Sequence, residues 1–232
     1  MQQAEFDRFA DEYDDQHRQV LAVTGEGPEY FHEYKLKVLS EIANSLGIGA
    51  RTVLDFGSGV GNSIPYFRRY LPGARLLCAD VSRRSLDLAE ARYPGSAESL
   101  LIEGNRLPAD DGGFDVVFSA CVFHHIPHEE HVHWLAELRR ITRPGGMLAI
   151  FEHNPLNPLT VRAVRNCAFD ANAHLIRAGR MIDRFTAAGW REPCARYHLF
   201  FPHALSALRP LERNLSGVPF GAQYSVTARK EP

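Results

Sequence analysis

The stretch Val53-Leu54-Asp55-Phe56-Gly57-Ser58-Gly59-Val60-Gly61-Asn62 has the clearest chemical content in the chain. An apolar run ends in an acid, turns through three glycines and enters a helix near Ser63, with Pro65 tolerated in its first turn. Glycines let the backbone approach a ligand closely where any Cβ would clash, although many turns use glycine without a ligand. Three details sharpen the reading. The spacing is GxGxG, and a GxGxxG dinucleotide fingerprint needs glycine where Asn62 stands. The Asp55 carboxylate repels a pyrophosphate and attracts an ammonium or another cation. Asp80 ends the next apolar run, 19 positions past Gly61, where an acid accepts hydrogen bonds from both hydroxyls of a ribose. No GKS or GKT follows the glycines, which excludes a Walker-type nucleotide site.

Five histidines fall between His124 and His133. Imidazole is a common metal ligand, but the zincin signature HExxH fails because Val132 stands where the second histidine belongs. No metal is expected, and His128, His131 and His133 read as an exposed helix face. His124 follows the fourth apolar run directly, so it either packs there or touches an acceptor. Glu152-His153-Asn154 closes the fifth run, at the sheet edge where open α/β sheets bind ligands. It anchors a loop or binds an acceptor. If the acceptor is a hydroxyl or an amine, His124 or His153 is placed to take its proton.

The elements that position these residues are short apolar runs alternating with helical segments. Arg51–Phe56, Arg75–Asp80, Ser99–Glu103, Phe114–Ser119 and Gly146–Glu152 read as strands. Ser82 caps a helix carrying Leu86, Ala89 and Tyr93 at three- and four-residue spacing. A second helix, from about Glu129 to Thr142, presents Leu135, Leu138 and Ile141, and Arg143-Pro144-Gly145-Gly146 stops it. Continuous apolar strands separated by helices imply a parallel sheet covered on both faces. Tyr197–Phe201 and Gln223–Arg229 are further strands with no crossover helix between them, which suits an antiparallel hairpin.

Length and composition narrow the class. The 232 residues suit one domain with at most a small cap, and 45% hydrophobic against 23% charged residues is ordinary for a globular protein. Lys plus Arg is 26 against 28 for Asp plus Glu, so there is no basic excess to hold a nucleic acid. No apolar run is long enough to span a membrane, and the N-terminus lacks the features of a secretory signal. Cys78, Cys121, Cys167 and Cys194 are scattered and form no CxxC, which leads to the expectation of a reduced, cytoplasmic setting. Oligomeric state is not encoded legibly.

In order, Leu54–Gly61, Cys78-Ala79-Asp80-Val81-Ser82, Glu103–Pro108 with Phe114–Val117, and Arg139–Gly146 resemble the successive motifs of the class I methyltransferases that use S-adenosylmethionine. The resemblance covers about Arg51 to Glu152. It implies a Rossmann-like, doubly wound, mostly parallel α/β sheet of seven strands in the order 3-2-1-4-5-7-6, with the last strand antiparallel. It also implies that Gly57, Ser58, Gly59 and Gly61 carry the methionine part of S-adenosylmethionine, with Asp55 near its ammonium. Asp80 takes the ribose hydroxyls and Val81 one adenine face. Asn105 stands where the family usually has Asp, and Arg106 follows it. Ser119 and Ala120 close the site at the fourth strand.

By the same resemblance, residues 1–50 form a helical lid in which Phe6, Phe9 and Tyr13 recur on one face, with Tyr13 toward the sulfonium. Residues 51–232 form the methyltransferase domain, with acceptor-site insertions at about 154–177 and 202–221. Arg162 and Arg165 in the first insertion hold an anionic acceptor or are ordinary surface charges. The apolar second insertion packs in the core or meets a lipid-like substrate. No Asn-Pro-Pro-Tyr tetrapeptide follows the fourth strand, where Phe118-Ser119-Ala120-Cys121 stands, which argues against amide- and base-directed N-methylation. The expected function is methyl transfer to an O or N atom of a small molecule by in-line displacement. The alternative is a non-catalytic S-adenosylmethionine-binding module acting as a sensor or complex subunit. A nicotinamide dehydrogenase is disfavoured by Asn62 and Asp55.

Overall fold

The structure, a computed structural model, describes residues 25–167 and 170–231. Seven strands form one sheet: β1 (Thr52–Phe56), β2 (Arg75–Asp80), β3 (Glu98–Leu101), β4 (Phe114–Ala120), β5 (Thr142–His153), β6 (Arg191–His198) and β7 (Gln223–Arg229). Their order is β3-β2-β1-β4-β5-β7-β6, with β7 antiparallel to both neighbours and the other pairings parallel. The doubly wound architecture read from the alternating runs is therefore present.

Each sheet face is covered by helices whose apolar stripes the sequence encodes. On one side α1 (Pro28–Ser45) buries Leu36, Leu39, Ile42 and Ala43, α2 (Ile64–Tyr70) buries Ile64 and Phe67, and α3 (Arg83–Arg92) buries Leu86 and Ala89. Ser82 caps α3 through Ser85 N–H at 3.0 Å, as its sequence position predicts. On the other side α4 (His131–Ile141) buries Trp134, Leu135, Leu138 and Ile141. α6 (Ala178–Ala187) adds Ala178, Met181 and Phe185 to the same layer. α5 (Pro158–Arg165) begins at Asn157, whose side chain accepts from Leu159 N–H and Thr160 N–H. A 3-10 segment, His203–Leu211, and the short α7 (Glu212–Leu215) fill the span between β6 and β7.

The largest departures from the expected strands are at β5 and β6. β5 begins at Thr142, so Arg143–Gly146 lies inside the strand, and the register against β4 shifts between Phe114 and Val116. β6 runs over Arg191–His198 rather than Tyr197–Phe201. Pro193 and a register shift near Glu192, at φ +48°, mask it, and Leu199, at φ +63°, turns the chain out of the sheet. A proline on an edge strand gives no periodic signal to read.

Candidate functional site

The carboxyl ends of β1, β2, β4 and β5 carry the buried polar residues Asp55, Asp80, Ser119 and Glu152. After β1 the chain turns through Gly57, Gly59 and Gly61, all at positive φ (+74°, +54° and +80°). A Cβ on Gly61 would stand 2.8 Å from Ala89 Cβ and Ile64 Cδ1, so this glycine lets α2 and α3 pack closely. A Cβ on Gly59 would meet no described atom within 4 Å, so the turn faces open space there. Asp80 fixes the turn. Its Oδ2 accepts from Gly59 N–H at 2.8 Å and its Oδ1 from Ser82 N–H at 2.9 Å.

Asp55 is 3% exposed, and its Oδ2 has no hydrogen-bond partner. Burial, and then the nearby Asp80 carboxylate, push its pKa up to about 8, with Lys35 pulling the other way. Such a carboxyl, beside an open glycine turn, leaves Oδ2 to accept from a ligand. Ser119 is fully buried with its Oγ also unpartnered. These groups could hold S-adenosylmethionine: Asp55 would take its ammonium, the Gly57–Gly61 turn its methionine part and Asp80 its ribose hydroxyls. Val81 is half-buried after β2, while Asn105 and Arg106 are exposed. The Asn105 carbonyl accepts from His133 Nε2. Tyr13, Phe6 and Phe9 lie outside the described residues.

Beyond β4 and β5 a second cluster forms. Glu152, buried at the end of β5, accepts from Val122 N–H at 3.0 Å and Phe123 N–H at 2.8 Å through Oε1. Its Oε2 lies 2.7 Å from His124 Nδ1, and His124 Nε2 lies 3.3 Å from Asp170 Oδ1. His124 is 1% exposed. Burial alone would lower its pKa, but the Glu152 and Asp170 carboxylates raise it well above the usual histidine value. Both ring nitrogens face carboxylates, so neither points at open solvent. Glu152 and Asn154 are loop anchors: Asn154 Nδ2 donates to Pro219 O and Gly221 O.

His153, half-buried, pairs instead with Cys121. Burial raises a thiol's pKa, but the charges of His153 and Lys35 outweigh it here and bring Cys121 down to about 7. The same thiolate raises the pKa of His153 against its own burial. Lys35, 5% exposed on α1, places Nζ 3.8 Å from Cys121 Sγ, and Gln223 Nε2 at the start of β7 lies 3.9 Å from it.

The expectation of an exposed histidine face fails at His131. Its ring is fully buried, with Nε2 on Ile126 O at 2.8 Å and Nδ1 2.6 Å from Arg184. Burial brings its pKa down to about 4, so the ring is neutral. His128 and His133 are exposed. Arg162 and Arg165 line a surface cleft of about 440 Å³ with Pro155, Leu156 and Asn166.

Lys35, Cys121 and Gln223 escaped sequence reasoning. A signal existed for Lys35, which shares the apolar stripe of Leu39 and Ile42 and so sits at a core position.

A doubly wound sheet with this strand order, glycine turn and pair of strand-end acids has the fold of solved S-adenosylmethionine-dependent methyltransferases. Residues 54–150 match the family described as a methyltransferase domain, which makes S-adenosylmethionine the cofactor. Phthiotriol/phenolphthiotriol dimycocerosates methyltransferase of Mycobacterium tuberculosis is 30% identical over 119 residues, covering 50% of this chain and 43% of that protein. Trans-aconitate 2-methyltransferase of Rhodopseudomonas palustris is 31% identical over 166 residues, covering 67% and 63%. The chain thus spans less than two thirds of either relative. A solved methyltransferase from Thermotoga maritima, described as a possible histamine N-methyltransferase, shares the fold. Its TM-score is 0.67 at 20% identity, over 99% of both chains.

Proposed function

We propose that the protein transfers the sulfonium methyl group of S-adenosylmethionine to an O or N atom of a small molecule by in-line displacement. The observation that carries this reading is Asp55, a buried carboxyl whose Oδ2 has no hydrogen-bond partner, at the mouth of a glycine turn that leaves open space at Gly59. The sulfonium donor is already activated, so the protein's task is alignment in a site closed to water. Asp55 and the turn hold the cofactor, and Asp80 orients its ribose.

The Cys121–His153 pair acts on the acceptor. With the thiol near neutrality and the imidazole raised, the two share one proton. As a unit the pair takes the proton that a hydroxyl or amine releases. His124 is a positioning residue. Through Glu152 and Asp170 it fixes the loop after β4 on which Cys121 stands. The relatives' names give different acceptors, a dimycocerosate in one and trans-aconitate in the other, so they support a small-molecule acceptor without selecting one.

Calorimetric titration with S-adenosylhomocysteine, with NADH as control, tests the cofactor half. Binding of the former alone is expected, and binding of NADH alone would reverse the reading. A panel of hydroxyl and amine acceptors, followed by methyl-group incorporation, tests the other half. Cofactor binding with no turnover on any acceptor would favour a non-catalytic sensor or subunit.

A further inference from the structure

We infer that His124, His125 and Asp170 form a binding site for one divalent transition-metal ion of the zinc class, a site that the sequence signatures argued against. The inference goes beyond the methyltransferase reading and does not rest on it. The 3-10 turn Phe123–His125 sets two consecutive imidazoles with ring centroids 4.2 Å apart. Asp170 reaches them from the segment after α5, its Oδ1 3.3 Å from His124 Nε2 and 3.4 Å from His125 Nε2. All three ligand atoms lie within 4.8 Å of one another. In a tetrahedral shell with metal–ligand bonds of about 2.0–2.1 Å, neighbouring donors stand about 3.3–3.4 Å apart. Two edges of that shell are already in place.

The support behind the ligands is also that of a metal centre. A ligating histidine characteristically gives its other ring N–H to a carboxylate, which fixes tautomer and orientation. His124 Nδ1 does so to Glu152 Oε2 at 2.7 Å, and two backbone amides hold Glu152 in turn. Two imidazoles and one carboxylate select zinc or a neighbouring first-row ion, whereas magnesium and calcium favour oxygen alone. The side chains of His125 and Asp170 remain 15% and 13% exposed, which leaves room for water or another small ligand to complete the shell. Sequence could not show this site, because Asp170 lies 46 residues from His124.

The full chain, stripped with a chelator, is titrated with Zn²⁺ alone in competition with a chromophoric chelator, and with Co²⁺ followed by visible absorption. One tight equivalent is expected, weakened at least about tenfold by His125→Ala and by Asp170→Asn, with a Co²⁺ spectrum of tetrahedral type that both variants lose. The double variant His128→Ala/His174→Ala, which removes imidazoles outside the cluster, keeps the tight equivalent. Absence of a tight equivalent overturns the site. So does unchanged affinity in His125→Ala and Asp170→Asn, or loss in the His128/His174 variant alone. Titration of the same preparations with S-adenosylhomocysteine reads the methyltransferase assignment separately.

Discussion

The two halves of the sheet's carboxyl edge are built by different means. At β1 and β2 the site is made largely of backbone: a turn at positive φ, held by Asp80 to an amide 21 residues away and another two residues away. At β4 and β5 it is made of side chains brought together from afar. Cys121 meets Lys35 across 86 residues and Gln223 across 102, and His124 meets Glu152 across 28 and Asp170 across 46. A backbone-built half tolerates little change, because its geometry is the geometry of the chain itself. A half built from convergent side chains can be re-equipped without disturbing the sheet. That division suits one cofactor combined with many acceptors.

The largest effect expected on this contrast comes from Glu152→Ala. It strips two amides and the buried His124 ring of their acceptor, and removing one partner of a buried pair costs about 3–5 kcal/mol. Urea unfolding checks this, and a loss below about 1 kcal/mol would show that the loop after β4 does not depend on it. Because the damage lies in the acceptor half, the folded protein should still bind S-adenosylhomocysteine.

Gly61→Ala strikes the other half. Its Cβ meets Ala89 and Ile64 at 2.8 Å and sits at φ +80°, so a stability loss of about 2–4 kcal/mol is expected. Gly59→Ala is the matched control. It has open space around its Cβ and costs only about 1–2 kcal/mol of backbone strain, while cofactor affinity falls about tenfold. Equal stability losses for the two glycines would contradict the distinction between a packing glycine and a cradle glycine.

The same contrast explains what could be read in advance. The glycine turn, Asp55, Asp80 and the strand order follow from local patterns: an apolar run, a turn residue, an acid at a strand end. The acceptor half has no local grammar. Lys35 looks like any helix lysine until its neighbours Leu39 and Ile42 are seen to be buried. Nothing near Asp170 announces that it reaches two histidines. His131 fails for a related reason: it packs on Phe123 and meets Arg184, which arrives from α6. β6 was displaced because a proline and a bulge on an edge strand erase the alternation that marks a strand.

Asp80→Ala removes the acid expected on the ribose and also frees Gly59 N–H. A loss of about 1.5–3 kcal/mol in S-adenosylhomocysteine binding is expected by calorimetry. Asp80→Asn, whose side-chain oxygen can still accept from Gly59, should recover part of that loss. If both variants bind like the parent, the ribose lies elsewhere.

The mildest test uses pH. In the free protein Asp55 has a pKa of about 8, because it is buried and faces Asp80 more strongly than Lys35. It is therefore largely protonated at pH 7. A bound ammonium favours the carboxylate, so the pKa falls on binding and a proton leaves. Linkage then gives affinity that rises with pH and levels off above about 8, by about tenfold between pH 6.5 and pH 8. Calorimetry in buffers of different ionisation enthalpy reads the released proton directly. Asp55→Asn should bind more weakly at pH 8, with the slope gone. Cys121, which titrates near 7 at the same edge, is the competing source, so Cys121→Ser should leave the slope intact. A slope that survives Asp55→Asn and vanishes in Cys121→Ser would move the pH sensitivity from the cofactor half to the acceptor half.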